Sequence, residues 1–166
     1  GPDAVAGLFG MVLMLSGTSI GDVWDARLTI EPAAIRRLAE TASDVQLAIL
    51  DRELDQVHAA AALDPRSFHR AGVRFHVTLV ELAGNRTLAA LIGMLAEIIE
   101  RELANAVAEM GPDSHEVRRA NGRALRGYEK VTELIRAGDG PGAEHAWREH
   151  MDTARRYLGV ANGEGR

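Results

Sequence analysis

The chain is 166 residues long, one domain's worth, and folding would bury about 70% of the surface its extended form exposes. It carries 19 Lys and Arg against 24 Asp and Glu, a net charge of −5, and no cysteine. These numbers exclude a disulfide scaffold, a thiolate nucleophile and Cys-ligated zinc, and argue against a stand-alone nucleic-acid binder, which should be basic.

A hydrophobic content of 46% excludes disorder, and 4% aromatic residues are too few for a single-strand stacking platform. The longest apolar run, Ala4 to Leu15, contains two glycines and falls short of the roughly 20 residues that span a bilayer. It has no basic leader, so neither a signal peptide nor a membrane partner is expected, and a cytoplasmic location is.

In chain order, residues 1–18 read as a linker or a short apolar helix, with Gly1-Pro2 resembling a tag remnant. From Asp22 onward the apolar residues repeat with helical period and no alternating strand is found. Ser43 and Gln46 form a capping-box pair ahead of the stripe Leu47, Leu50, Leu54, Val57 and Ala61. Asp64-Pro65 starts the next helix, which runs to Ala83 and stops at Gly84.

From Asn85 to Gly111 the periodic apolar pattern predicts a helix close to 40 Å long, at about 1.5 Å per residue. Gly111-Pro112-Asp113-Ser114 breaks it, and a further helix carrying Leu125, Tyr128, Val131 and Ile135 ends at Gly138. Asp139 caps the last helix, expected to reach about Leu158 before a frayed tail over 161–166. The fold expected is an all-α antiparallel bundle of six or seven helices around an interior pocket, with 19–160 as its domain.

Six histidines are the side chains that invite acid–base or metal chemistry. His69 and His76 lie two turns apart on one face of the Asp64–Ala83 helix, which is apolar round most of its circumference and belongs mid-bundle. His150 shares an inward stripe with Ala143, Trp147, Ala154 and Tyr157, and Tyr128 is the polar tip on its own helix's apolar stripe. The bland alternative for each is a core residue satisfied by one hydrogen bond. His58, His115 and His145 read as exposed or terminal.

Several apparent motifs fail. The His-x-x-x-Glu-His run from His145 to His150 is one residue too long for an inverted zincin helix. The glycines at 138–142 follow a helix rather than a strand, which argues against a phosphate cradle. The basic run Arg118, Arg119, Arg123, Arg126 and Lys130 reads as a solvated helix face. No set of side chains assembles an enzyme.

Three segments carry a resemblance. Asp22-Val-Trp-Asp-Ala-Arg27-Leu-Thr-Ile-Glu31-Pro-Ala-Ala34 is similar to the opening of the ligand-binding (FCD-type) domain of GntR-superfamily, FadR-subfamily transcription regulators. Phe75-His76 with Glu81-Leu-Ala-Gly-Asn85 resembles that domain's central motif, and Ile135-Arg-Ala-Gly-Asp139 with Ala143 and His150-Met151 its closing segment. Together they span residues 20 to 155 in the family's order.

The resemblance implies a homodimeric bundle enclosing a small-molecule pocket, with DNA read by a winged helix-turn-helix domain that precedes it and is not expected within this chain. It also implies a divalent-metal site of one Asp and three His. Here the family's Asp falls on Gly72, its first histidine on His76, its second on Tyr128 and its last on His150. Only His76 and His150 remain as metal ligands, with His69 within a turn of Gly72 as a substitute, so zinc or nickel should bind weakly.

Gly72 should leave a gap to be filled by water or ligand. His76, Tyr128 and His150, with His69 nearby, would then donate to an anionic or polar effector such as an organic acid, sugar acid or acyl thioester. Arg27, at the family's arginine, would pair with its carboxylate. The expected function is effector sensing and dimerisation. The competing reading is a helical interaction scaffold with a vestigial pocket, which a core filled by apolar side chains would favour.

Overall fold

The computed structural model of the chain describes residues 2–161, which form seven helices and no strand. They are α1 (Pro2–Leu15), α2 (Ile20–Thr41), α3 (Asp44–Ala61), α4 (Pro65–Leu82), α5 (Arg86–Met110), α6 (His115–Arg136) and α7 (Gly140–Ala161). The tail expected to fray lies, from residue 162 on, outside the described residues.

Each helix start has a local chemical cause. Ser19 and Asp22 form a capping box in which the Ser19 hydroxyl accepts from the Asp22 amide and the Asp22 carboxylate accepts from the Ser19 amide. Ser43 and Gln46 repeat the arrangement, as their spacing predicts. Asp64, Asn85, Ser114 and Asp139 each accept an amide three residues on and so satisfy one of the orphan donors of the first turn. At Gly84 the backbone turns through φ +93°, a region closed to most side chains, and α4 ends.

Loops of three residues make hairpins of α3–α4, α4–α5 and α6–α7, and α2 closes the bundle by packing on α7. Trp24 pins that seam: its indole Nε1 donates to the Met151 carbonyl at 3.1 Å with both side chains buried. Helix α4 is central, touching α2, α3, α5 and α6. Phe68, Phe75, Leu79 and Val80 are buried, and its exposed residues are confined to the stripe of Arg66, Arg70 and Arg74 with Glu81.

Within the stretch read as a linker or a short apolar helix, α1 runs as a 14-residue helix from Pro2, where a proline needs no hydrogen-bond partner. It packs on α5 and leaves Val5, Leu8, Met11 and Val12 more than half exposed. Helix α7 continues three residues past Leu158. No helix among the described residues is long and apolar enough to cross a membrane.

Candidate functional site

Helices α2, α4, α6 and α7 each turn polar groups toward one cavity of about 370 Å³, within the range of small-molecule sites. Arg27, His69, His76, Tyr128 and His150 all line it, together with Trp24, Phe68, Ile99 and Met151. The rings form one shell: His76 and Trp147 have centroids 4.5 Å apart, Trp147 stacks on His150 at 4.7 Å, and Tyr128 lies 4.8 Å from His150.

The charge on Arg27 is already answered from within the protein. Its Nε donates to Glu31 Oε2 at 2.6 Å and its terminal nitrogen to Oε1 at 3.3 Å, one helical turn on. Glu31 is fully buried and Arg27 nearly so, with the guanidinium 5.1 Å over the Trp24 ring. Arg27 was expected to pair with a ligand carboxylate; the structure instead gives it Glu31. Pro32 follows directly, so the Leu28 carbonyl loses its usual helical donor beside this pair.

His76 Nδ1 sits 2.6 Å from Glu31 Oε1 and 2.5 Å from an Arg27 nitrogen. An acceptor and a donor thus compete for one ring nitrogen, and the imidazole tautomer follows whichever wins. Burial would raise the Glu31 carboxyl, but Arg27 and His76 outweigh it and hold it down to about 2. The bidentate guanidinium suffices to keep it ionised. Burial likewise pushes His76 below the usual histidine range, with the Glu31 carboxylate opposing, and we take the ring as neutral.

Burial pushes His150 down to about 3, more than the charge of the Glu31 carboxylate can offset. Burial raises the Tyr128 phenol well above its ordinary value. Both groups are therefore uncharged at neutral pH. Neither the Tyr128 hydroxyl nor the His150 ring makes a hydrogen bond among the described residues, although Tyr128 is 6% and His150 9% exposed. Both therefore present hydrogen-bonding capacity to the cavity, and the Trp147 indole Nε1 beside them is buried without a partner.

Gly72 leaves no gap. A β-carbon there would stand 2.5 Å from the Tyr128 hydroxyl, so the phenol occupies the volume expected to hold water or ligand. The departures at positions 72 and 128 are therefore one coupled change: the glycine makes room and the tyrosine fills it. Gly127, next along α6, does the same for His150, whose Nδ1 would collide with any β-carbon.

This donor set does not fit a divalent metal. Gly72 supplies no ligand, Tyr128 is a neutral phenol, and the Glu31 carboxylate is committed to Arg27 and His76. No group of three or more His, Cys, Asp or Glu among the described residues is placed to hold an ion. His69, the potential substitute, is engaged by Asn121 at 3.0 Å. His58 and His145 pair with Glu129 and Glu149 at the surface, and His115 begins α6.

The sequence reading missed three participants. Glu31 could have been found from its position four residues after Arg27 on a helix. Gly127 carried no local signal, and the Tyr157 hydroxyl, buried at the cavity wall without a partner, is marked in the sequence only as one member of the inward stripe of His150. The basic run needs correction as well: Arg123, Arg126 and Lys130 are exposed, yet they line the cavity where it meets solvent.

The fold and site together define an all-α bundle enclosing a cavity lined by hydrogen-bonding groups. The family model described as FCD domain matches residues 22–153, and the chain belongs to that family. The HTH-type transcriptional repressor NanR of Salmonella schwarzengrund (strain CVM19633) is 28% identical over 128 residues, covering 76% of this chain and 46% of the repressor. NanR of Salmonella arizonae matches to the same extent. The chain thus spans about half the length of these relatives. A Streptococcus agalactiae GntR structure shares the fold, with TM-score 0.67 at 22% identity over 82% of this chain and 58% of that one.

Proposed function

We propose that this is the effector-sensing and dimerisation domain of a GntR/FadR-type transcriptional regulator. A small anionic metabolite would enter the cavity among α2, α4, α6 and α7 and bias the dimer between two arrangements. The affinity of a separate winged helix-turn-helix domain for DNA would change accordingly. The observation that carries this reading is the cavity itself, lined by the Tyr128 hydroxyl and His150 ring, neither of which is hydrogen-bonded to another described residue. A scaffold with a vestigial pocket would instead fill that space with apolar side chains.

The exposed apolar stripe of α1 supports self-association. The FCD match and the repressor relatives support a regulatory role in the cytoplasm rather than a catalytic one. Neutral rings and a committed Arg27–Glu31 pair suit recognition more than acid–base chemistry. Native mass spectrometry of the domain purified from its source cell tests the reading. A bound small molecule, lost in an Ala124→Trp variant that fills the cavity, is the expected result. A bare mass in both proteins overturns it.

A further inference from the structure

The charge around the cavity is distributed in one direction. At its floor Glu31 neutralises Arg27, and Tyr128, His76 and His150 are uncharged. A second anion placed there would be desolvated with no free cation to meet it, which disfavours that placement. At the rim Glu149 is held 3.3 Å from His145 and Lys130 lies 3.6 Å from Glu133. Arg123 and Arg126, adjacent on one face of α6, make no ion pair among the described residues, although both line the opening. Arg123 lies close enough to Tyr157 for its charge to act on the phenol, whose hydroxyl is buried and unpartnered.

We propose that the effector is an amphiphilic anion bound with its uncharged hydrogen-bonding end inward, against Tyr128 and His150, and its anionic group outward, at Arg123 and Arg126. Its body is compact and largely apolar, to match Trp24, Phe68, Ile99, Leu103 and Met151. From Arg123 to Tyr128 the axial rise along α6 is about 7–8 Å, a span that one small hydroxylated or keto acid covers. This rests on the effector-sensing reading and adds ligand class and orientation to it. The orientation is the reverse of one in which a buried cation or metal would draw the acid to the floor.

Three probes test it by calorimetry at low salt: 3-(4-hydroxyphenyl)propionate, its uncharged amide, and 3-phenylpropionate. The hydroxy acid should bind about tenfold more tightly than its amide, the worth of one charge-assisted contact. In the doubly substituted R123Q/R126Q protein that preference should vanish, with the circular dichroism melt unchanged because both side chains are exposed. Tyr128→Phe should abolish the preference for the hydroxylated acid over 3-phenylpropionate.

Equal binding of acid and amide by the unsubstituted domain overturns the proposal, and so does an acid preference that survives R123Q/R126Q. If none of the probes binds while native mass spectrometry finds a co-purified molecule, the ligand class is wrong and effector sensing stands. If the spectra are bare as well, both fall.

Discussion

Position 72 shows how a single side chain can be tested for the reason it is small. Replacing glycine by alanine inside a helix ordinarily gains about 1 kcal/mol. Here the new methyl would meet the Tyr128 hydroxyl at 2.5 Å, and overpacking of this kind costs about 1–3 kcal/mol. The clash should win, so Gly72→Ala is expected to destabilise the domain by about 1–2 kcal/mol. In a Tyr128→Phe background, with the hydroxyl gone, the same change should be close to neutral. Equal losses in both backgrounds, measured by urea unfolding, would show that the coupling is absent.

The pair Gly72→Asp with Tyr128→His restores a carboxylate and an imidazole where space exists only when both are changed. Zinc or nickel affinity in calorimetry should rise by orders of magnitude over the unsubstituted domain. Similar weak binding by both proteins would refute the geometry.

His150 also sets a pH dependence. Its folded value, about 3, lies below the ordinary histidine value of 6.5, so the unfolded chain binds the proton first as pH falls. Stability is then fully present above about pH 6.5 and is lost toward pH 3, by roughly 2 kcal/mol at pH 5. Glu31, held at about 2, adds a further loss below its ordinary value of 4.5. Thermal melts between pH 7.5 and 5 should fall, and His150→Gln should lessen that fall, leaving the part that the buried His76 and His69 contribute. A flat profile for the unsubstituted domain would contradict the buried neutral ring.

Among the elements, the α2–α7 seam joins the two ends of the bundle, and one buried hydrogen bond crosses it. Trp24→Phe removes the donor and leaves the Met151 carbonyl unpaired in an apolar setting, at a cost of about 1–3 kcal/mol. Because Trp24 also lies under the Arg27 guanidinium, the loss should be accompanied by weaker ligand binding. Unchanged stability in denaturant melts would mean that water replaces the indole. Helix α1 differs in kind: it packs on α5, and its exposed apolar residues need a cover that the other six helices do not provide.

For the whole molecule, the expected consequence is a dimer. Sedimentation at micromolar concentration should find it, and substituting Leu8 and Val12 by Glu should shift it toward monomer. A unsubstituted domain that sediments as monomer would remove the proposed role of α1. With a net charge of −5, the domain alone should also give no sequence-specific gel shift at physiological salt. A shift that survives such salt would overturn the separation of sensing from DNA reading.

Much of the helical plan can be read locally, because capping residues, glycine stops and periodic apolar stripes act within a few residues of where they stand. Ser43 with Gln46, Asp64-Pro65 and Asp139 determine where α3, α4 and α7 begin, and the stripes carrying His76, Tyr128 and His150 determine which faces turn inward. What faces each of those residues is decided in three dimensions. Glu31 reaches Arg27 within one helix, yet its contact with His76 spans 45 residues, and the Tyr128 hydroxyl meets Gly72 only because α6 crosses α4 there. The sequence alone determines that the family's carboxylate is missing. Only the packed bundle decides that a phenol has taken its place, because close-packed interiors assign each volume to whichever neighbour reaches it.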